Sequence, residues 1–198
     1  MNIFSVFDTE TTGFKPNEGA RIIEIAVCKI NSSGEVLDTF DTLLNIGDGA
    51  NVGAEEIHKI SPAMLLGAPN FTQIASPLFQ FLNDTILVAH NAPFDKSFLS
   101  AEMNMAGFDT TNLFVADTLV AARKTLPGLT SYKLGELAKH LGISFEGNAH
   151  AALADAKVAA QLFVKLFELN SNLQWPTNAY FNQPDLLISE SVSLKSRS

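Results

Sequence analysis

Apolar runs crowd the first 44 residues and then change character, and that order limits the folds open to the chain more than any other feature. Residues 3–7 form a short apolar and aromatic run. Residues 20–30 form a longer one rich in Ile and Val, and 36–44 a third, entered through the turn-forming Asn31-Ser32-Ser33-Gly34. Runs of this kind bounded by turn residues read as strands, so a three-strand meander at one edge of a sheet is expected. After a Gly-rich loop at 45–53 the spacing changes. Phe71, Ile74, Leu78, Phe81 and Leu82 recur at helical intervals and predict a helix over 71–82. Ile86-Leu87-Val88 reads as a short buried strand. Residues 93–105 read as a helix, with Pro93 in its first turn and Gly107 beyond its end.

The remaining elements follow the same logic. A short strand is expected at 113–116, then a helix at 117–126 capped by Asp117 and stopped by Pro127-Gly128. Another helix at 131–141 ends at Gly142, and an Ala-rich amphipathic helix spans 151–169, with Leu153, Ala156, Ala160, Phe163 and Phe167 on one stripe. Strands first, then strands alternating with helices, give the α/β class: a mixed central sheet with flanking helices. Residues 1–169 form one domain. Residues 170–198 are Ser- and Asn-rich and their four charges cancel, so they read as a weakly ordered C-terminal tail. Within it, Trp175, Phe181 and Leu186-Leu187-Ile188 could dock on a partner, although a loosely attached terminus is the preferred reading.

Charge narrows the partners. Thirteen basic and 21 acidic residues leave the 198-residue chain at −8, which disfavours broad clamping of a nucleic-acid backbone. A small footprint on nucleic acid, with bound divalent metal supplying the positive charge, remains compatible. No apolar stretch approaches the roughly 18 residues of a membrane span, and residues 1–8 lack the basic segment of a secretory signal. The single cysteine, Cys28, lies in an apolar run and forms no internal disulfide. A soluble, cytoplasmic protein without membrane partners is expected.

Three acidic motifs interrupt this pattern. Asp8 and Glu10 stand two apart at the end of the first run, so a strand would point both carboxylates to one face. A hard divalent cation is the usual way to relieve such a pair. His90-Asn91-Ala92-Pro93-Phe94-Asp95 follows the 86–88 run and puts Asp95 in the first turn of a helix, where the dipole favours an acid and where α/β proteins gather their sites. His150 and Asp155 would lie about 140° apart inside one regular helix. They can share a site only if His150 sits on the loop before the helix. Ala151, Ala152, Ala154 and Ala156 would let that helix carry Asp155 close to a sheet. Each motif also has an ordinary reading: a polar strand end, a dipole-favoured acid, and a solvated Asp155 with a loop histidine.

Taken together, Asp8, Glu10, Asp95, His150 and Asp155 resemble, in order and placement, the DEDD family of 3′→5′ exonucleases, which has an RNase H-like fold. His150, five residues before Asp155, matches the subclass with a histidine base (DEDDh). The other subclass carries Tyr where this chain has Ala151. The likeness runs from about residue 3 to 169 and includes Phe7-Asp8-Thr9-Glu10-Thr11-Thr12-Gly13 and Ile22-Ile23-Glu24-Ile25-Ala26. The similarity is greatest to the epsilon-type proofreading members of the family and their stand-alone relatives. Asp117-Thr118-Leu119 also matches a family segment, although Asp117 reads as a cap rather than a ligand.

The resemblance implies a two-metal hydrolysis of phosphodiester bonds from a DNA 3′ end, releasing nucleoside 5′-monophosphates in proofreading or repair, with a DNA polymerase subunit as a partner. Asp8 would bridge two Mg²⁺ ions, Glu10 and Asp155 would complete the first site, and Asp95 would hold the second. Mn²⁺ would substitute. His150 would take the proton from the attacking water. Thr11, Thr12, Gly13 and Phe14 would approach the terminal nucleotide, Asn91 would hydrogen-bond it, and Phe14 and Phe94 would stack or wedge against a base. Both aromatics are drawn from 15 Phe, and a place in the core is the commoner fate of each. His58 matches a family segment and reads as structural or substrate-flanking. An RNA-trimming exonuclease would use the same five residues, and a catalytically silent interaction module would keep the fold alone.

Overall fold

The computed structural model describes residues 2–47, 49–144, 151–173 and 194–196. Its five strands are β1 (Ile3–Thr11), β2 (Ile22–Asn31), β3 (Val36–Leu43), β4 (Ile86–Ala89) and β5 (Val115–Asp117), in the spatial order β3-β2-β1-β4-β5. The first three form the antiparallel meander expected from the turn signals. β4 and β5 join parallel, each after a helical crossover. The sheet is therefore mixed, with helices on both faces.

Alternation along β1 decides what meets what. Phe4 and Val6 pack, with Cys28, Ile30, Ile86 and Val88, against helix α7 (Ala152–Leu169) through Ala156, Ala159, Ala160 and Phe163. Phe7 points to the opposite face, where Phe71, Ile74 and Leu78 of α3 (Phe71–Leu82) and Phe98, Leu99 and Met103 of α4 (Ala92–Met105) lie. With a period of two, residues 8 and 10 continue the α7 face and residue 9 the α4 face. The ring centroids of Phe4 and Phe163 are 4.7 Å apart, a contact that fixes α7 against this strand.

Most boundaries follow the sequence signals. α3 starts where expected because Asn70 and Gln73 form a reciprocal capping box. Other elements depart from expectation for physical reasons. β1 runs four residues beyond 3–7, because a strand paired on one side by β2 continues through polar residues that its apolar pattern does not mark. The expected strand at 113–116 is shifted to 115–117. Leu113 is a buried anchor before it and Phe114 is exposed. Helix α6 (Leu134–Leu141) begins later than residue 131, because Tyr132 is committed elsewhere. Its hydroxyl donates to the Leu126 carbonyl and its own carbonyl is a partner of His90. Helix α5 (Thr118–Thr125) is capped by Asp117, whose Oδ1 accepts from Leu119 N at 2.8 Å.

Two one-turn helices, α1 (Glu55–His58) and α2 (Pro62–Leu65), lie in the stretch after the Gly-rich loop, too short for periodicity to reveal. On α7 the stripe is wider than expected. Ala156, Ala160 and Phe163 are buried, but Leu153 is only half-buried, and Val158, Leu162 and Leu166 form a second face against α5 and α6. Of the stretch expected as a tail, Leu194, Lys195 and Ser196 lie along β3, with Leu43 N donating to Lys195 O at 2.7 Å. Trp175, Phe181 and Leu186–188 lie outside the described residues, as does His150.

Candidate active site

The pairing of β4 with β1 ends at Val6, and β1 runs on with one edge uncovered. α4 starts there. Asp95, in its first turn and 4% exposed, takes over as partner of that edge: Oδ1 accepts from Thr9 N at 3.1 Å and from Thr9 Oγ1 at 2.7 Å. Asp8 and Glu10, flanking Thr9, face the other way toward α7, where Asp155 sits one turn before Ala159. Each of Asp8, Glu10 and Asp155 offers a carboxylate oxygen within 4.8 Å of the others. The three half-buried acids and the buried Asp95 thus surround the end of one strand.

Electrostatics records the crowding. Burial pushes the Asp8 carboxyl well above its ordinary value of 3.8, and Asp95, Asp155, Glu10 and Glu24 push it the same way. Asp95 is raised to about 7, chiefly by burial. The two Thr9 hydrogen bonds oppose that shift and Asp117 adds to it. Such a cluster asks for positive charge, and oxygen donors of this kind suit a hard divalent cation.

The flanking residues fall into place around it. Asn91 has φ 64°, a left-handed conformation that asparagine tolerates, and its exposed backbone N–H donates to Asp117 Oδ1 at 3.1 Å. The ordinary reading of Asp117 as a cap therefore holds, with a second duty at the α4 entry. Phe14 is 85% exposed, which corrects the expectation of a core aromatic: it projects from the turn after β1, where no element among the described residues covers it. Phe94 is half-buried against Phe98, with ring centroids 5.1 Å apart, so packing accounts for part of its surface. Thr12 closes the loop that carries Gly13 and Phe14: its N–H donates to Arg21 O, and its Oγ1 accepts from Arg21 N. Thr11 Oγ1 donates to Gly13 O. Gly53 (φ 82°) packs against this neck, where a Cβ would stand 2.3 Å from Thr12 O. His58 is structural: it is buried, with Nε2 on Val52 O and Nδ1 accepting from Ile60 N.

Sequence reasoning gave no role to two residues of its own motifs. Glu24, 1% exposed in the apolar run of β2, accepts from Ala152 N at 3.0 Å through Oε2 and so anchors the first turn of α7, the turn that presents Asp155. An acid inside an otherwise apolar strand was the available signal. His90 bridges Thr118 Oγ1 (2.8 Å) and Tyr132 O (2.9 Å). A carbonyl only accepts, so Nε2 carries the proton, and burial lowers the pKa of the ring.

Comparison with known proteins identifies the family. The exonuclease (RNase_T) family model matches residues 5–163. The DNA polymerase III subunit epsilon of Treponema pallidum is 37% identical over 165 residues, covering 82% of this chain and 75% of that one. The 3′-5′ exonuclease DinG of Bacillus subtilis is 34% identical over 174 residues, covering 88% of this chain, which spans 18% of DinG. Among solved structures, the nuclease domain of 3′hExo, a DEDDh family member bound to rAMP, superposes with a TM-score of 0.75 at 17% identity, covering 88% of this chain and 96% of that one. The Escherichia coli ExoI–ssDNA complex gives 0.76 at 20% identity, covering 87% and 42%. These neighbours share the RNase H-like exonuclease fold. With the family model matched from residue 5 to 163 and a relative 37% identical over most of both chains, the chain belongs to the exonuclease family.

Proposed function

We propose that this protein is a metal-dependent 3′→5′ exonuclease that removes nucleoside 5′-monophosphates from DNA ends, in proofreading or repair. The observation that carries the reading is the convergence of Asp8, Glu10 and Asp155 oxygens within 4.8 Å beside Asp95, with the Asp8 and Asp95 carboxyls held above their ordinary range. A set of acids that resists ionising together fits divalent cations. Asp8, Glu10 and Asp155 would hold one ion, with Asp8 and Asp95 for a second, Mg²⁺ in the cell and Mn²⁺ in its place. Bound there, the ions supply charge neutralisation at the phosphate and a more acidic water.

The chain's own residues do the rest. Thr9 fixes the Asp95 carboxylate against β1. Glu24 fixes the start of α7 and with it Asp155. His150, five residues before Asp155, is the base that takes the water's proton. Thr11, Thr12, Gly13 and Phe14 would line the approach of the terminal nucleotide, and Asn91 and Phe94 would contact it. DNA is the favoured substrate because the epsilon relative, a DNA polymerase subunit, is similar over most of both chains. A polymerase subunit is the corresponding partner. No helix of the described residues is long and apolar enough to cross a membrane.

The test uses 5′-labelled single-stranded DNA, single-stranded RNA and mismatched primer ends, with Mg²⁺, Mn²⁺ or chelator. A ladder shortened from the 3′ end, lost on chelation and lost in a folded Asp8→Ala variant, is expected. His150→Ala should lower turnover by about 10²–10⁴. Equal products from wild type and Asp8→Ala would remove the reading, and faster trimming of RNA would overturn the DNA assignment.

A further inference from the structure

The loop that carries Phe14 is closed at its neck by Thr12 and Arg21, and Arg21 does more than close it. Its guanidinium binds Glu102 of α4 through two parallel contacts: Nε donates to Oε1 and Nη2 to Oε2, each at 2.7 Å. Glu102 is 2% exposed, and Oε1 also accepts from Ile22 N at 3.3 Å. This pair joins residues 81 apart in sequence. Lys15–Glu18 and Lys165–Glu168, by contrast, are exposed pairs within a single turn. Glu102 stands seven residues, two helical turns, beyond Asp95 on the same face of α4. The 3₁₀ turn Pro16–Glu18 inside the loop also packs on α4.

We propose that Arg21 and Glu102 form a latch that sets the loop 12–21 at a fixed distance from the α4 end bearing Asn91 and Asp95, and so are positioning residues for the terminal nucleotide. Neither touches the reacting atoms. The planar fork of arginine on a buried carboxylate fixes direction as well as distance, which lysine cannot reproduce. The neck bonds between Thr12 and Arg21 pass that position to Thr11, Gly13 and Phe14. The kinetic consequence rests on the exonuclease reading above, whereas the mechanical one does not.

The experiment compares wild type, Glu102→Gln, Arg21→Lys and the apolar double variant Arg21→Met/Glu102→Met, which leaves no buried charge unpaired. Backbone hydrogen exchange over residues 12–21 is read against the rest of the sheet, and KM and kcat are measured on single-stranded DNA. Each variant is first checked for cooperative melting, and Arg21→Lys, which keeps the charge, serves if the others fail to fold. Loss of the fork should speed exchange in 12–21 selectively and raise KM, each by about tenfold, with kcat within about threefold. Arg21→Lys should fall between. A folded double variant whose loop exchanges at the wild-type rate overturns the latch, as does a fall in kcat with KM unchanged. If the wild type shortens no nucleic acid, the exonuclease reading fails instead, and the exchange data alone decide the latch.

Discussion

Asp95→Asn should make the metal-free protein more stable while disabling it, and the pH at which the gain appears is fixed by the structure. Asparagine keeps Oδ1, so it keeps both hydrogen bonds from Thr9. What it loses is the charge. Asp95 titrates near 7 in the folded chain against an ordinary 3.8, and about 1.36 kcal/mol per unit gives a penalty of about 4 kcal/mol for holding it ionised above neutrality. The sign follows from linkage: between those two values the folded state binds the proton that the unfolded state has released, so stability falls as pH rises from about 4 through 7. Below that window both states are protonated and the penalty vanishes. Allowing that Asn is still a buried polar group, we expect about 2 kcal/mol of gain at pH 8, or about 4–8 °C in Tm for a chain of this size. The assay is thermal melting in chelator at pH 4, 6 and 8, repeated with saturating Mg²⁺. With metal the order should reverse, because a ligand bound only by the folded state stabilises the wild type. A variant that melts at or below wild type at pH 8 in chelator, or one whose gain is equal at pH 4 and 8, would refute the reasoning.

Two further substitutions probe the approach to the site. Gly53→Ala would place a Cβ 2.3 Å from Thr12 O at a φ of 82°, and should cost at least about 2 kcal/mol. Gly19, with φ 89° but open space around it, supplies the control: its replacement by Ala should cost only about 1 kcal/mol. Equal shifts in melting for the two would show that the contact with Thr12 carries no weight. Phe14→Ala removes a ring that is 85% exposed, so stability should stay within about 0.5 kcal/mol. KM for single-stranded DNA should rise at least about fivefold, the low end of a lost base stack; an unchanged KM would return Phe14 to the status of a bystander.

How much of this was legible beforehand depends on the range of the interaction. The helix at 71–82 could be read to the residue because both of its signals are local: an apolar stripe, and a cap whose partners are three residues apart. The meander and the pairing of Asp8 with Glu10 were equally legible, since period-two alternation needs no tertiary information. The start of α6 was not, because Tyr132 is held by His90 and Leu126 across space. Nor were the anchoring roles of Glu24, Arg21 and Glu102, whose partners lie 128 and 81 residues away. The exposure of Phe14 escaped for the opposite reason: a phenylalanine in a turn carries no local mark of whether another element will cover it.

The location of the acids follows from a mismatch between two strand lengths. β1 has nine residues and β4 four, and their pairing ends at Val6 and Val88. Were β4 longer, its backbone would satisfy Thr9 N, and α4 would begin too far along to bring Asp95 there. Because it stops, an edge that needs an acceptor is left beside a face that alternation has already filled with Asp8 and Glu10. One carboxylate answers the edge, and α7, seated on the same face by Ala156, Ala159 and Ala160, brings another. Small side chains are essential to that seating. A residue larger than alanine at 156 or 159 would lift Asp155 away from Asp8 and relax the repulsion that adds to burial in raising the Asp8 pKa. The protein therefore keeps a helix interface of minimal volume where it is electrostatically costly, an arrangement that stability alone would not select and that bound cations would make favourable.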